Sequence, residues 1–149
     1  MKHHLVFLIL FILIYFNALA QQPDAEGCND SPFFKRMNYT FITSCSQDSD
    51  EMEFVIGADS IVRLNGIKTF ISYGYEASKA KIAPSFFKIV KYYEAAVIKK
   101  AGKEMYYSSD SGTAVFTFKD SEKNYWLILD DGSGDGEGYY NLSLMEAPE

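Results

Sequence analysis

Carboxylates, lysines, tyrosines and two cysteines are the side chains here with chemistry to offer, because the two histidines, His3 and His4, both fall in an apolar leader. With that leader removed no imidazole remains. Ser-His-Asp and Cys-His catalysis and His-based zinc sites go with it. Carboxylates alone can hold a hard cation or work as an acid/base pair. Asp131, Ser133 and Asp135, followed by Gly136, match positions 1, 3, 5 and 6 of a calcium loop, but position 12 is Leu142 instead of a bidentate Glu. They are weak metal candidates, and the plainer reading is a hairpin loop kept soluble by its acids. The pairs Asp50/Glu53 and Asp130/Asp135 could serve a glycan hydrolase, whose two carboxyls flank a cleft about 5–9 Å apart. No motif marks such a cleft, so no residue is assigned as catalytic and no cofactor is implied.

Tyrosines recur as neighbours: Tyr92-Tyr93, Tyr106-Tyr107 and Tyr139-Tyr140. Adjacent strand residues point to opposite faces, so a strand pair places one ring in the core and one outside. An outward ring can stack on a sugar or on a partner's apolar surface. Tyr92, Tyr106, Tyr139 and Tyr140 are therefore the candidate ligand-binding aromatics. Against this stands ordinary packing at a sheet margin or under a helix.

One helix and a set of strands must position these groups. In residues 84–102, Phe86, Ile89, Val90, Tyr93, Val97 and Ala101 recur at helical spacing, while Lys88, Lys91, Glu94 and Lys99 fall on the other side. Pro84 and Ser85 are start signals, and Gly102 is the expected left-handed stop. The lysines, with Lys100 and Lys103, make a basic face that could meet anionic lipid or polysaccharide, although such faces are usually just solvated. Strands are expected at 38–44, 52–56, 61–64, 67–75, 104–107, 113–119, 124–129 and from Tyr140, with 46–51 as a polar loop. Asn65-Gly66 is the strongest hairpin signal in the chain. Brief turns imply antiparallel pairing.

The 149 residues suit one domain, and a hydrophobic content of 48% argues against disorder. Residues 1–20 read as a signal peptide: Lys2, an unbroken apolar run over 5–16, and Ala18-Leu19-Ala20 as the cleavage site. The run is short for a full membrane span, which needs about 20 apolar residues, so no span is expected after cleavage. The remaining chain has 13 basic and 20 acidic side chains, net −7. An acidic surface repels phosphate backbones and argues against nucleic acid as a partner. Residues 21–30 read as a flexible leader to a domain spanning 31–146, with 147–149 a tail. Cys28 and Cys45 are the only cysteines, and in an exported chain they read as a structural bridge. A reactive thiol or a metal ligand is the weaker alternative, since neither has a neighbouring His. Ala25-Glu26-Gly27-Cys28 faintly matches a lipoprotein box, which leaves lipidation of Cys28 as a minor alternative. The Asn-x-Ser/Thr sequons at Asn38 and Asn141 matter only on a eukaryotic route.

Three blocks together carry a family resemblance. They are Asp30-x-Pro32-Phe33-Phe34-x-Arg36-Met37 leading to Cys45, Pro84-Ser85-x-x-x-Ile89-x-x-Tyr92-Tyr93-Glu94-Ala95 ending at Ala101-Gly102, and Lys123-x-Tyr125-Trp126-Leu127 with a glycine-rich turn and the run from Tyr139 to Glu146. In these the chain resembles the extracytoplasmic module that precedes the peptidoglycan-binding domain in some OmpA-family proteins of Gram-negative bacteria. The resemblance spans the mature chain and rests on fold-bearing aromatics and turns. It implies a bacterial envelope location and no catalytic residue. Here the module is expected to stand alone, ending at Glu149, without implied cell-wall anchoring.

The expected fold is α+β, two-layer: an antiparallel sheet of about six strands with one long helix packed on one face. The expected function is a non-enzymatic binding or accessory module, in the periplasm or at the outer-membrane or extracellular surface, whose partner is a glycan or an envelope protein. The rivals are a carboxylate-dependent glycan hydrolase and an assembly subunit pairing through a sheet edge.

Overall fold

The computed structural model describes residues 22–79, 82–132 and 138–147. The apolar leader at 1–20, Ser133 and Asp135 lie outside the described residues. Elements run β1 (Thr40–Gly57), β2 (Ser60–Tyr75), α1 (Phe86–Lys99), β3 (Lys103–Ser108), β4 (Thr113–Asp120), β5 (Lys123–Asp131) and β6 (Tyr140–Glu146). The six strands form one sheet in the order β1-β2-β6-β5-β4-β3, every neighbouring pair antiparallel. After β2 the chain crosses through α1 to the far edge, then meanders back until β6 closes against β2.

Helix α1 forms where the apolar stripe predicts. Its Ile89, Val90, Tyr93 and Val97 are buried in one cluster with Ile71 and Tyr73 of β2, Ala114, Phe116 and Phe118 of β4, Leu127 and Leu129 of β5, and Tyr140, Leu142 and Leu144 of β6. Each fully buried Ile, Val, Leu or Phe among them contributes roughly 1.5–3 kcal/mol by leaving water. The helix ends one residue earlier than Gly102 suggests. Ala101 takes the left-handed conformation, φ 54°. Its N–H donates to the Ile98 carbonyl and that of Gly102 to the Val97 carbonyl, a Schellman ending with alanine where glycine is usual. Gly102 is required for another reason: a Cβ there would sit 2.4 Å from the Thr117 carbonyl oxygen and 2.5 Å from Val97.

The first two strands depart most from the sequence reading. Residues 46–51, expected as a loop, continue β1, and Asn65-Gly66, expected as a hairpin turn, lies inside β2 opposite Glu51 and Asp50. The turn falls instead between Gly57 and Ser60. Gly66 serves a close approach, since a Cβ would lie 3.3 Å from the Glu146 carbonyl oxygen. There β2 parts from β6, whose pairing runs only from Lys68 to Tyr73. Among the described strands, the ribbon beyond makes ladder pairs only between β1 and β2. It packs Met52, Phe54, Val62 and Leu64 against Val115, Trp126, Ile128 and Met145, a second apolar cluster built from alternate positions of the same strands.

Candidate functional site

The segment before β1 is tied to the sheet instead of trailing as a flexible leader. Cys28 and Cys45 form a disulfide with Cα atoms 5.7 Å apart. The Ala25 N–H donates to the Ile42 carbonyl at 2.8 Å, and Asp24 accepts the Ile42 N–H at 2.8 Å. Arg36 then clamps the segment from the other side. Its guanidinium donates to both oxygens of Asp30, at 2.9 and 3.0 Å, and is paired with Asp24. Hydrogen bonding from Arg36 holds the Asp24 carboxyl below its ordinary value, partly offset by burial. Beneath the clamp the Arg36 guanidinium lies 5.9 Å from the centre of the Tyr73 ring, and the Tyr73 hydroxyl donates to Asp30 at 3.2 Å. Burial pushes the Tyr73 phenol up.

This pinned segment is one wall of a groove of about 620 Å³ on the helix side of the sheet. The register explains its floor. Gln47 of β1, Thr69 of β2 and Leu144 of β6 stand side by side, and Ile67, Ile71 and Tyr125 lie on the same side of their strands. The segment supplies Asn29, Asp30, Pro32 and Phe33, and Cys45 of the disulfide sits at the margin. The Phe33 and Tyr125 rings are 4.6 Å apart, and Tyr125 stacks on Phe118 at 5.2 Å. Ile67 is 61% exposed, an apolar surface that no described residue covers. Two carboxylates line the groove and both are engaged: Asp30 by Arg36, Glu146 by Lys123 at 2.8 Å and by the Tyr125 hydroxyl at 3.4 Å. The remaining polar groups, Asn29, Ser46, Gln47 and Thr69, are uncharged, and the Gln47 amide donates to the Thr69 hydroxyl at 3.3 Å.

The candidate aromatics scatter. Tyr140 is a correction: at 0% exposure it is a core residue, stacked on Tyr73 at 4.9 Å, with its hydroxyl 3.0 Å from that of Tyr93. Burial pushes the Tyr140 phenol up to about 12. Tyr106 is half-buried in the second cluster and Tyr139 is half-buried where it crowds Gly74. Only Tyr92 is well exposed, and it lines a separate, smaller cavity. The groove's own rings, Phe33 and Tyr125, escaped the sequence reading, although both fall in the blocks that carry the family resemblance. Asp50 and Glu53, three apart in a strand, point to opposite faces, and Glu53 is paired with Arg63 at 2.6 Å. Asp130 lies outside the groove, accepting from the Thr113 hydroxyl at 3.1 Å, and burial pushes its carboxyl up. Asp131 ends β5. Among the described residues no group of three or more potential ligands could hold a metal ion, and no helix is long and apolar enough to cross a membrane.

The described residues define a disulfide-bonded antiparallel domain with one helix and a neutral, amphipathic trough. No family model, curated protein or solved structure matches the chain.

Proposed function

We propose that this domain is a non-enzymatic binding module of the bacterial envelope, exported to the periplasm or the outer surface, that holds a neutral glycan in the groove. The carrying observation is the groove's charge state: its two carboxylates are already satisfied by cations of the same chain, and what is left is amide, hydroxyl, aromatic and aliphatic surface. Sugars present that mixture, hydroxyls around an apolar ring face. An acid/base pair for hydrolysis would have to come out of those ion pairs, which favours binding over turnover. The edge-pairing alternative meets the charges of β1, whose run from Asp48 to Glu53 carries four acids; two such edges repel. The disulfide accords with export.

A panel of neutral and acidic glycans tests this. Binding is expected for neutral chains, and Gln47→Ala or Tyr125→Ala should weaken it by about tenfold each, the size of one lost hydrogen bond or ring contact. Absence of binding by the wild type, or affinity untouched by both substitutions, removes the reading. Product release that is lost in Glu146→Gln would establish the hydrolase instead.

A further inference from the structure

A second cavity, of about 310 Å³, opens at the far end of β2. Tyr75, which lines it, is six residues from Thr69 on the groove floor, about 20 Å along the strand, so the two are separate sites. Three tyrosines, Tyr39, Tyr75 and Tyr92, surround it with Met37, Ile82 and Lys88. The Tyr75 hydroxyl donates to the Ile82 carbonyl at 2.8 Å and that of Tyr92 to the Arg36 carbonyl at 3.1 Å. Both rings are thereby fixed with their polar tips engaged, and what they leave for a ligand is apolar surface. Ile82 is 83% exposed at the rim, far beyond what a core-forming isoleucine shows. Lys88 is in no ion pair among the described residues, and no described carboxylate lines the cavity.

Tyr39 gives a further observation. It is 52% exposed yet holds φ at 63°, the left-handed region that glycine or asparagine takes far more readily. Its carbonyl accepts the Glu76 N–H at 2.8 Å, which fixes the backbone turn but would do so with any side chain. A bulky ring kept at a strained, solvent-facing position contributes little to folding there. It does form a cavity wall.

We infer that this cavity is a binding site for a small monoanionic aryl or alkyl carboxylate, its apolar body among the three tyrosines and Ile82 and its carboxylate on the Lys88 ammonium. The volume suits one ring, at the small end of ligand pockets. Among the described lining residues Lys88 is the one cation, and on a strongly acidic protein that favours a single negative charge over a phosphate or polyanion. The site is independent of the glycan groove.

Calorimetric titration of the mature protein with phenylacetate, benzyl alcohol and benzylamine tests the assignment. Phenylacetate is expected to bind saturably and about tenfold or more tighter than the amine. Lys88→Gln should bring phenylacetate down to the level of the alcohol. Tyr39→Gly should lose about tenfold in affinity while melting at the same temperature as the parent or above it. Gln47→Ala, in the groove, should leave phenylacetate binding unchanged. The assignment is overturned if the wild type shows no saturation, if the amine binds as well as the acid, or if Tyr39→Gly keeps its affinity. A lowered melting temperature for Tyr39→Gly would show the ring to be structural and overturn it too.

Discussion

Asp130 shows how a single carboxylate reports its surroundings. Burial raises its folded-state value above the ordinary one, and one hydrogen bond from Thr113 offsets this only in part. A raised carboxyl means that the folded chain holds the proton longer than the unfolded chain. Stability therefore falls as pH rises through that window and stays lower above it. Asp130→Asn keeps an acceptor for Thr113 and removes the charge, so it should be more stable than its parent at pH 7. That advantage should shrink below about pH 4, where both forms of the aspartate are protonated. Denaturant melts at the two pH values check it, and a destabilised variant at pH 7 counts against the burial argument. Tyr39→Gly should likewise gain about 1 kcal/mol by releasing left-handed strain. Neither residue was legible in the sequence for these roles. Asp130 reads as one acid in an acid-rich loop, and no local pattern marks a tyrosine for positive φ. The buried stripe of the helix was mostly legible: of the residues that spacing selects, Ile89, Val90, Tyr93 and Val97 are buried, whereas Phe86 is half-buried and Ala101 lies exposed past the helix end.

Among the elements, sequence and structure part where a residue answers to a distant neighbour instead of to its own turn. Asn65-Gly66 is a strong local hairpin signal, yet the glycine is needed for the passage of Glu146, and Ala58-Asp59 makes the turn. The β4–β5 hairpin turns on Ser121 and Glu122, both at positive φ (49° and 74°), without the Asn-Gly pair that such a turn favours. At the end of α1, Ala101 holds the left-handed position while Gly102 answers to the crowding of Thr117 and Val97. Ala101→Gly should therefore stabilise the domain by roughly 0.5–1 kcal/mol, since glycine takes that conformation without a Cβ penalty. Gly102→Ala should cost several-fold more than that gain, because its Cβ contacts are backbone and core atoms with nowhere to go. Thermal denaturation of both variants decides the point, and equal effects of the same sign would contradict the assignment. The long α1 and the four short strands were readable because each satisfies its own period. The reach of β1 was not, since the polar run 46–51 has the composition of a loop and becomes a strand only by pairing with β2.

At the scale of the described molecule, α1 shares one apolar cluster with the sheet, the far part of the β1–β2 ribbon contributes to a second, and the leading segment is stapled to β1 by the disulfide. Two cross-links hold that staple: the disulfide, a covalent tie across 17 residues, and the Asp24–Arg36–Asp30 clamp. They differ in what can undo them. Removing the disulfide as Cys28→Ser/Cys45→Ser should cost about 2–4 kcal/mol, mostly by freeing the unfolded chain. The clamp has a pH limit, because the Asp24 carboxyl is held down by Arg36: its contribution is in place above the ordinary carboxylate value and is lost as pH falls through the lowered folded value. While the disulfide is intact, acid should loosen the clamp without detaching the segment, since Cys28 remains within reach of Cys45. In the double-serine variant the same acidification leaves backbone hydrogen bonds and the packing of Phe33 and Phe34 against the core as the remaining ties. Hydrogen exchange at the Ala25 and Ile42 amides, which bond across this junction, reads the difference directly. Corrected for intrinsic exchange rates, the parent should keep protection at Ala25 on acidification, whereas the variant should keep it at neutral pH and lose it in acid. Glycan binding should fall with it, because Asn29 and Phe33 of the groove wall travel with the segment. Equal protection in both proteins at low pH would mean that the clamp is not the second tie, and that backbone hydrogen bonds with the packing of Phe33 and Phe34 against the core hold the segment.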